Sequence, residues 1–395
     1  MTGRFLFMCQ PDHGHVIPGL AVAAELVRRG NQVTYLTSPA MAGLVTGAGA
    51  TLLPYESIYR DVDLRKLEDD PLGLLSLFLD ESAAMLAAAG PEHRPDVIVY
   101  DVSVLHAGRV LARKWDVPAT QFIPVFAANE HFSFLTAVYA EDGGGGPGPE
   151  LPGWVDGMLA RTRDLAAAHG VTADPAELWW QVQDSNVVAL PRAFQYAGDT
   201  FDERFAFVGP CLDERRFLTG WQPPGDGLPI ALLSFGTVLT SRPELVRTCV
   251  RAFAELPWRT VVTLGDGLDP AELGPLPPTV EAHRWVSHLD VLRHARVAVT
   301  QGGMGTAMEA LHWGRPAVVV PATAIDRVSA RRIAELGLGR TLDPAALTPG
   351  QLVETVLDAA ADETMHRAAA AMRREIAAAG GTARAADVLE SRLTA

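Results

Sequence analysis

Short β-branched apolar runs alternate along the chain with amphipathic stretches of helical spacing. Phe5–Cys9, Gln32–Thr37, Asp96–Asp101, Ala119–Pro124, Asn186–Leu190 and Phe205–Gly209 read as strands in the first half. Ile230–Phe235, Val280–Trp285, Val297–Thr300 and Pro316–Pro321 read as strands in the second. Runs this apolar, bounded by turn residues, are strands covered on both faces, as in parallel sheets. Between them, Pro18–Arg29, Leu64–Ala89, Ala107–Trp115, Leu289–His294, Ala330–Leu336, Pro349–Ala360 and Met365–Ala379 have helical periodicity. Pro18 suits a first helical turn and Gly30 a position just past a helix end. Strand, loop, helix, strand at the start of the chain is the opening of a doubly wound α/β sheet.

The pattern weakens twice. Pro210–Pro229 carries proline, glycine and charge with little apolar order, and we expect an interdomain linker there. This divides the chain into a domain over 1–209, a linker over 210–229 and a domain over 230–382, with a closing helix over 383–395. The Gly143–Gly146 run reads as a mobile loop. A chain of 395 residues fits two domains.

Composition narrows the function. A net charge of −14 argues against nucleic acid as a partner. No apolar run is long enough to span a membrane, and residues 1–4 lead straight into a strand without a signal peptide, so a cytoplasmic protein is expected. Cys9, Cys211 and Cys249 follow no metal spacing and read as buried small hydrophobes. Asp61-Val62-Asp63 has the form of a D-x-D metal motif but follows no strand, and His13-Gly14-His15 has no third ligand nearby. No metal and no cofactor is expected.

The candidate chemistry gathers at strand ends. After Val297–Thr300 comes Gln301-Gly302-Gly303-Met304-Gly305-Thr306 and then a helix. Strand, glycine turn and helix aim free backbone N–H groups at an anion. Trp285 offers a ring for stacking on a base, Glu309 lies one turn into the helix within reach of a ribose, and Asp326-Arg327 follows the next strand. Together these describe a nucleotide-sugar pocket. In the first half, His13 and His15 follow the first strand and Asp101 ends the strand Asp96–Asp101, so all three lie at the carboxyl edge, where ligands of such sheets bind. Histidine has a pKa suited to a general base. Asp101 reads as its partner before it reads as a helix N-cap.

These motifs resemble the nucleotide-sugar signature of family 1 glycosyltransferases of the GT-B fold, above all the bacterial macrolide and natural-product enzymes. The family pattern W-V-P-Q, then T-H-x-G-x-G/N-S/T-x-x-E, then P-x-x-x-D-Q is met here by Trp285-Val286-Ser287-His288, Thr300 to Thr306, Glu309, and Pro321 to Asp326-Arg327. Asp12 to Pro18 matches its G-H-x-x-P, and Ser234-Phe235-Gly236-Thr237 its V-S-x-G-S/T turn. The resemblance implies an α/β protein of two Rossmann-like domains facing a cleft, with the C-terminal helix crossing back to the first. It implies an inverting, metal-independent transferase that moves a sugar from a UDP- or TDP-sugar to a hydroxyl of an apolar natural-product aglycone, as a monomer or homodimer. His15 would be the base and Asp101 its partner. Ser234, Gly236, Thr237, Trp285, Val286, His288, Gln301, Gly302, Gly303, Gly305, Thr306, Glu309, Asp326 and Arg327 would hold the donor. His13, Phe122, Phe126, Phe132 and Phe134 would line the acceptor side. Three departures are plain, His288 for Gln, Gln301 for His and Arg327 for Gln; of these, Gln301 and Arg327 point to a donor other than UDP-glucose, a TDP-activated deoxy sugar first. A GT-B epimerase of sugar nucleotides and a non-catalytic helper are the alternatives, the helper disfavoured because it needs no base.

Overall fold

The computed structural model describes residues 2–61, 71–141, 152–212, 220–234, 243–254, 256–265 and 267–394. The chain forms two compact units: residues 1–213 together with 379–395, and residues 214–378.

Unit 1 is built, among the described residues, on a seven-stranded parallel sheet: β1 (Arg4–Met8), β2 (Gln32–Thr37), β3 (Thr51–Pro54), β4 (Val97–Asp101), β5 (Ala119–Ile123), β6 (Asn186–Val188) and β7 (Phe205–Phe207). Their order is β3-β2-β1-β4-β5-β6-β7. The sheet thus grows one way from β1 to β3 and the other way from β4, and the order reverses between β1 and β4. Met8 is level with Tyr100, so Asp101 stands one residue further out, beside the loop that leaves β1. All five residues of β4 are buried, as expected of a strand covered on both faces.

The helix after β1 runs His13–Arg28, five residues longer at its start than the proline rule predicts. Asp12 explains the difference. Its carboxylate accepts the Gly14 N–H at 2.7 Å, capping the helix there and leaving Pro18 inside it. His13 and His15 are therefore first-turn helical residues rather than loop residues. The helix Leu105–Trp115 lies against β4. Gly108 makes that approach close: a Cβ there would stand 2.1 Å from Cγ of the buried Tyr100 ring. The helix expected from Leu64 is described from Pro71 to Ala88. Val62 to Asp70, with most of the D-x-D motif, and the Gly143–Gly146 loop lie outside the described residues.

The C-terminal helix, Gly381–Ser391, packs on unit 1, against the helix His13–Arg28. Arg29 donates to Asp387 and Glu390, both at 2.7 Å, and Asn31 donates to Glu390 at 2.7 Å. The Gly381 N–H donates to the Val208 carbonyl at 2.7 Å. Ala385, Ala386 and Leu389 are buried beneath the helix. The return of the last helix to the first unit is the arrangement that the resemblance implied.

Unit 2 repeats the plan with a six-stranded parallel sheet among the described residues: β8 (Ile230–Ser234), β9 (Arg259–Thr263), β10 (Val280–His283), β11 (Ala295–Thr300), β12 (Ala317–Val319) and β13 (Gly339–Thr341), ordered β10-β9-β8-β11-β12-β13. Here the reversal lies between β8 and β11. Ser234, Thr263 and Thr300 close three neighbouring strands and are level with one another, a row of hydroxyls at the carboxyl edge. The stretch read as a linker is not all connector: Trp221 is buried in the unit 2 core, and its indole N–H donates to Glu281 at 3.0 Å. No described helix is long and apolar enough to cross a membrane.

Gly108→Ala tests the close approach in unit 1. Forcing a methyl into the Tyr100 ring costs about 1–3 kcal/mol by overpacking. The variant's urea midpoint falls accordingly; an unchanged midpoint contradicts the packing described.

Candidate active site

In unit 1 the reversal point carries a histidine–carboxylate pair. His15 Nδ1 lies 2.9 Å and 3.0 Å from the two oxygens of Asp101. Asp101 is 2% exposed, and a carboxylate that deep needs donors. It has them: the Ser103 N–H and hydroxyl both donate to Oδ1, at 2.8 Å and 2.5 Å. Asp101 therefore both caps the short turn Val102–Val104 and holds His15, so its two readings from sequence coexist. Ser103 was not anticipated. Its only sequence signal is a hydroxyl residue two places after a strand-ending Asp, an ordinary turn pattern.

An ionised carboxylate only accepts, so Nδ1 carries the hydrogen and, in the neutral ring, Nε2 keeps a lone pair. Among the described residues Nε2 takes no hydrogen bond. Beneath the pair, a cavity of about 10 Å³ bordered by Cys9, Gly19, Tyr35 and Phe122 has room for no more than a water molecule. Burial works against the imidazolium, but the charge of Asp101 and its hydrogen bond, aided by the charge of Asp12, raise the His15 pKa to about 9.

The five residues expected on the acceptor side divide. Phe122 and Phe126 are buried. Phe126 is the centre of an aromatic cluster, stacked on Phe194 and edge-on to Phe132, with Phe134 and Tyr196 beside it. Phe126 is thus core, while Phe132 and Phe134 are half-buried. His13 is half-buried in the helix start. A buried carboxylate also went unread: Glu81 accepts from the Tyr55 hydroxyl, from Ser57 Oγ at 2.6 Å and from the Ile58 N–H at 3.0 Å, and so pins the segment after β3.

In unit 2 the glycine turn opens the helix Met304–His312. Its N-cap, Gly303, has no side chain to bond the first N–H groups, unlike the helices begun by Asp12 and Thr323. Gly302 has φ +103°, and a Cβ there would stand 3.0 Å from the Asp326 carbonyl, so the position is strained and crowded for any other residue. The Gly302 N–H itself is taken by Thr300 Oγ1 at 3.2 Å. Ser234 Oγ and Thr306 Oγ1 meet at 3.3 Å across the reversal of strand order. Gln301 is buried and Gly305 exposed. Gly236 and Thr237 lie outside the described residues.

Other members of the expected donor set sit differently. Trp285 is half-buried, but the Val286 side chain is core, packed with Trp221, Leu232 and Val261. Asp326 is not in a loop. It is the third residue of the helix Ala324–Glu335 and completes a capping box, accepting from the N–H groups of Ala322 and Thr323 and from the Thr323 hydroxyl at 2.9–3.2 Å. Burial raises its pKa to about 6 against those hydrogen bonds. Arg327 is half-buried in the same first turn, while Glu335 is paired with Arg332. Glu309 meets His288: Nδ1 to Oε2 is 2.9 Å, and His288 Nε2 lies 3.1 Å from Thr263 Oγ1. Among the described residues no group of three or more His, Cys, Asp or Glu is arranged to hold a metal ion.

Comparison with known proteins agrees with this plan. Residues 248–391 match the family model described as the erythromycin biosynthesis protein CIII-like C-terminal domain. The chain is 39% identical to demethyllactenocin mycarosyltransferase of Streptomyces fradiae, covering 98% of this chain and 86% of that one. It is 34% identical to oleandomycin glycosyltransferase of Streptomyces antibioticus, covering 97% and 89%. Among solved structures, CalG4, the calicheamicin glycosyltransferase, is 40% identical with a TM-score of 0.84 over 100% of this chain and 99% of that one.

The His15–Asp101 pair has a pH signature. Because the folded pKa lies above the ordinary value near 6.5, the pair's stabilisation is complete below that value and is lost as pH rises through about 9. Histidine NMR titration should place His15 near 9 in the wild type and well below that in Asp101→Asn. The destabilisation caused by Asp101→Asn should be larger at pH 6 than at pH 9.5. Equal His15 titration in both proteins rules out the electrostatic account.

Proposed function

The chain belongs to the GT-B glycosyltransferases of macrolides and other natural products, and from that premise we propose an inverting transfer in which His15 is the general base. As a family member it is a glycosyltransferase that uses nucleotide-sugar donors and natural-product acceptors. The finer reading rests chiefly on one observation: a histidine at the reversal of strand order with Nδ1 held by a buried carboxylate and Nε2 open. Nε2 takes the proton of an acceptor hydroxyl as its oxygen attacks the anomeric carbon. Asp101 fixes the tautomer and balances the imidazolium that forms. Ser103 in turn orients Asp101.

The diphosphate of the donor leaves toward the uncapped start of the helix Met304–His312. Backbone donors and the helix dipole there stabilise the charge that develops on it. Trp285 stacks on the base, Glu309 reads the sugar of the nucleoside, and the Ser234–Thr306 hydroxyls flank the phosphates. One displacement, with the base and the leaving group on opposite faces of the anomeric carbon, inverts that centre. The acceptor is an apolar aglycone, in line with relatives named for demethyllactenocin, oleandomycin and calicheamicin. The donor is a UDP- or TDP-sugar. Gln301 and Arg327, where the family has His and Gln, support a TDP-activated deoxy sugar, because a site built to bond a hydroxyl rejects analogues lacking it.

Two experiments test this reading. His15→Ala should lower transfer about 10²–10⁴-fold, the usual worth of a general base, while leaving nucleoside diphosphate affinity unchanged. Wild-type turnover in that variant removes His15 from the mechanism. With UDP-glucose and a TDP-deoxyhexose supplied equally to one acceptor, product masses should favour the deoxy sugar; a preference for UDP-glucose overturns the donor assignment.

A further inference from the structure

The loop that leaves β1 has two sides, and Asp101 takes only one of them. The strand order β3-β2-β1-β4 puts Asp101 on the β4 side and the chain that leaves β3 on the other. That second side is built around Gln10. Gln10 lies between β1 and Asp12, the cap of the helix in whose first turn His15 stands. A tight turn fixes its backbone, the Asp12 N–H donating to the Gln10 carbonyl at 2.9 Å. Its side chain is met by Tyr59, in the short turn Ile58–Asp61 after β3, whose hydroxyl donates to Gln10 Oε1.

Tyr59 is itself held. The buried Glu81 carboxylate binds Tyr55, Ser57 and Ile58, and Ser57 Oγ accepts the Tyr59 N–H at 3.2 Å. Glu81 stands on the helix Pro71–Ala88, which also packs against the turn Val102–Val104 that carries Ser103. One helix thus supports both the Asp101 turn and the Tyr59 turn. Burial and the charges of Glu81, Asp12 and Asp101 push the Tyr59 phenol well above its ordinary range, so it stays protonated and donates. The phenol bonded to Gln10 therefore feels the carboxylate bonded to His15, and the two side chains share one neighbourhood.

With its oxygen claimed by the phenol, the Gln10 amide turns its NH2 the other way. Gln10 is 4% exposed, a depth at which an amide donor needs a partner. Nε2 makes no hydrogen bond among the described residues. Unlike the ring nitrogens of His106, it is not sealed in, so a ligand reaches it. A buried side chain anchored at one end, with two donors at an opening, is built to bond an oxygen that a ligand brings.

We propose that Gln10 is a further acceptor-binding residue whose amide donates to an oxygen beside the reacting hydroxyl, so that the site favours alcohols and phenols carrying a carbonyl, ether or second hydroxyl next to the hydroxyl that is glycosylated. Tyr59 is the positioning residue that fixes the amide. This rests on His15 as the base and adds what the acceptor must carry.

The test is transfer to 2-methoxyphenol and 2-ethylphenol, which match in size and nearly in acidity and differ in the oxygen beside the hydroxyl. The wild type should favour 2-methoxyphenol about tenfold in kcat/KM, the difference lying in KM. Gln10→Leu, which keeps the bulk and removes the amide, should bring that ratio to about one without weakening nucleoside diphosphate binding. Tyr59→Phe, which frees the amide to turn, should move the ratio partway and serves if Gln10→Leu does not fold. Equal wild-type kcat/KM for the two phenols, or a ratio unmoved in a folded Gln10 or Tyr59 variant, overturns the proposal. His15→Ala separates the two levels. If it lowers transfer to both phenols while the ratio ignores Gln10, the base reading stands and this inference falls. If it keeps wild-type transfer, His15 is no base and both fall.

Discussion

A parallel sheet covered on both faces has only its edges to offer a ligand, and the reversal of strand order decides where along the carboxyl edge a crevice opens. Both units obey this constraint, between β1 and β4 in one and between β8 and β11 in the other. Every polar group proposed for chemistry depends on it. His15 leaves β1 and Asp101 ends β4; Ser234 ends β8 and the glycine turn leaves β11. Register then sets the reach: Met8 beside Tyr100 puts Asp101 next to the loop after β1, and Thr300 beside Ser234 brings the Ser234 and Thr306 hydroxyls together.

Within that frame, helix starts do contrasting work. Asp12 and Thr323 bond the first N–H groups of their helices with side chains, and Asp326 reaches back to the N–H groups of Ala322 and Thr323, so those starts are closed. Gly303 does not, and that start carries no side-chain cap. Histidines show the same logic of satisfied and unsatisfied groups. Where one ring nitrogen is open, as in His15, the ring can exchange a proton. Where both are bonded, as in His288, the ring is a brace. One residue type, with a carboxylate partner in each case, takes two roles according to what stands on its far side.

Much of the fold was legible in the sequence. Strand after strand is an uninterrupted apolar run, because in a doubly covered parallel sheet each residue faces core, and the glycine turn between β11 and its helix is written in consecutive residues. Asp101 could be picked out because it ends a strand, and His15 because it follows β1 at the G-H-x-x-P position of the resemblance. Helix boundaries were less legible, since a capping Asp12 competes with a proline six residues on and only the folded geometry shows which prevails. Val286 and Phe126 carry residue types that serve pocket and core alike, and nothing local separates the two.

By itself, then, the sequence determined the alternation of strand and helix, the two-sheet plan and the strand ends where chemistry would gather, because these follow from periodicity and turn residues close together in the chain. The tertiary structure alone decided the partners. Asp101 is held by Ser103 and faces His15, 86 residues before it; His288 bridges Thr263 and Glu309; Asp326 closes a helix. Such pairings depend on strand order and register, which place residues side by side that no spacing in the sequence relates, and a polar group's role is set by which of its bonding sites those neighbours leave open.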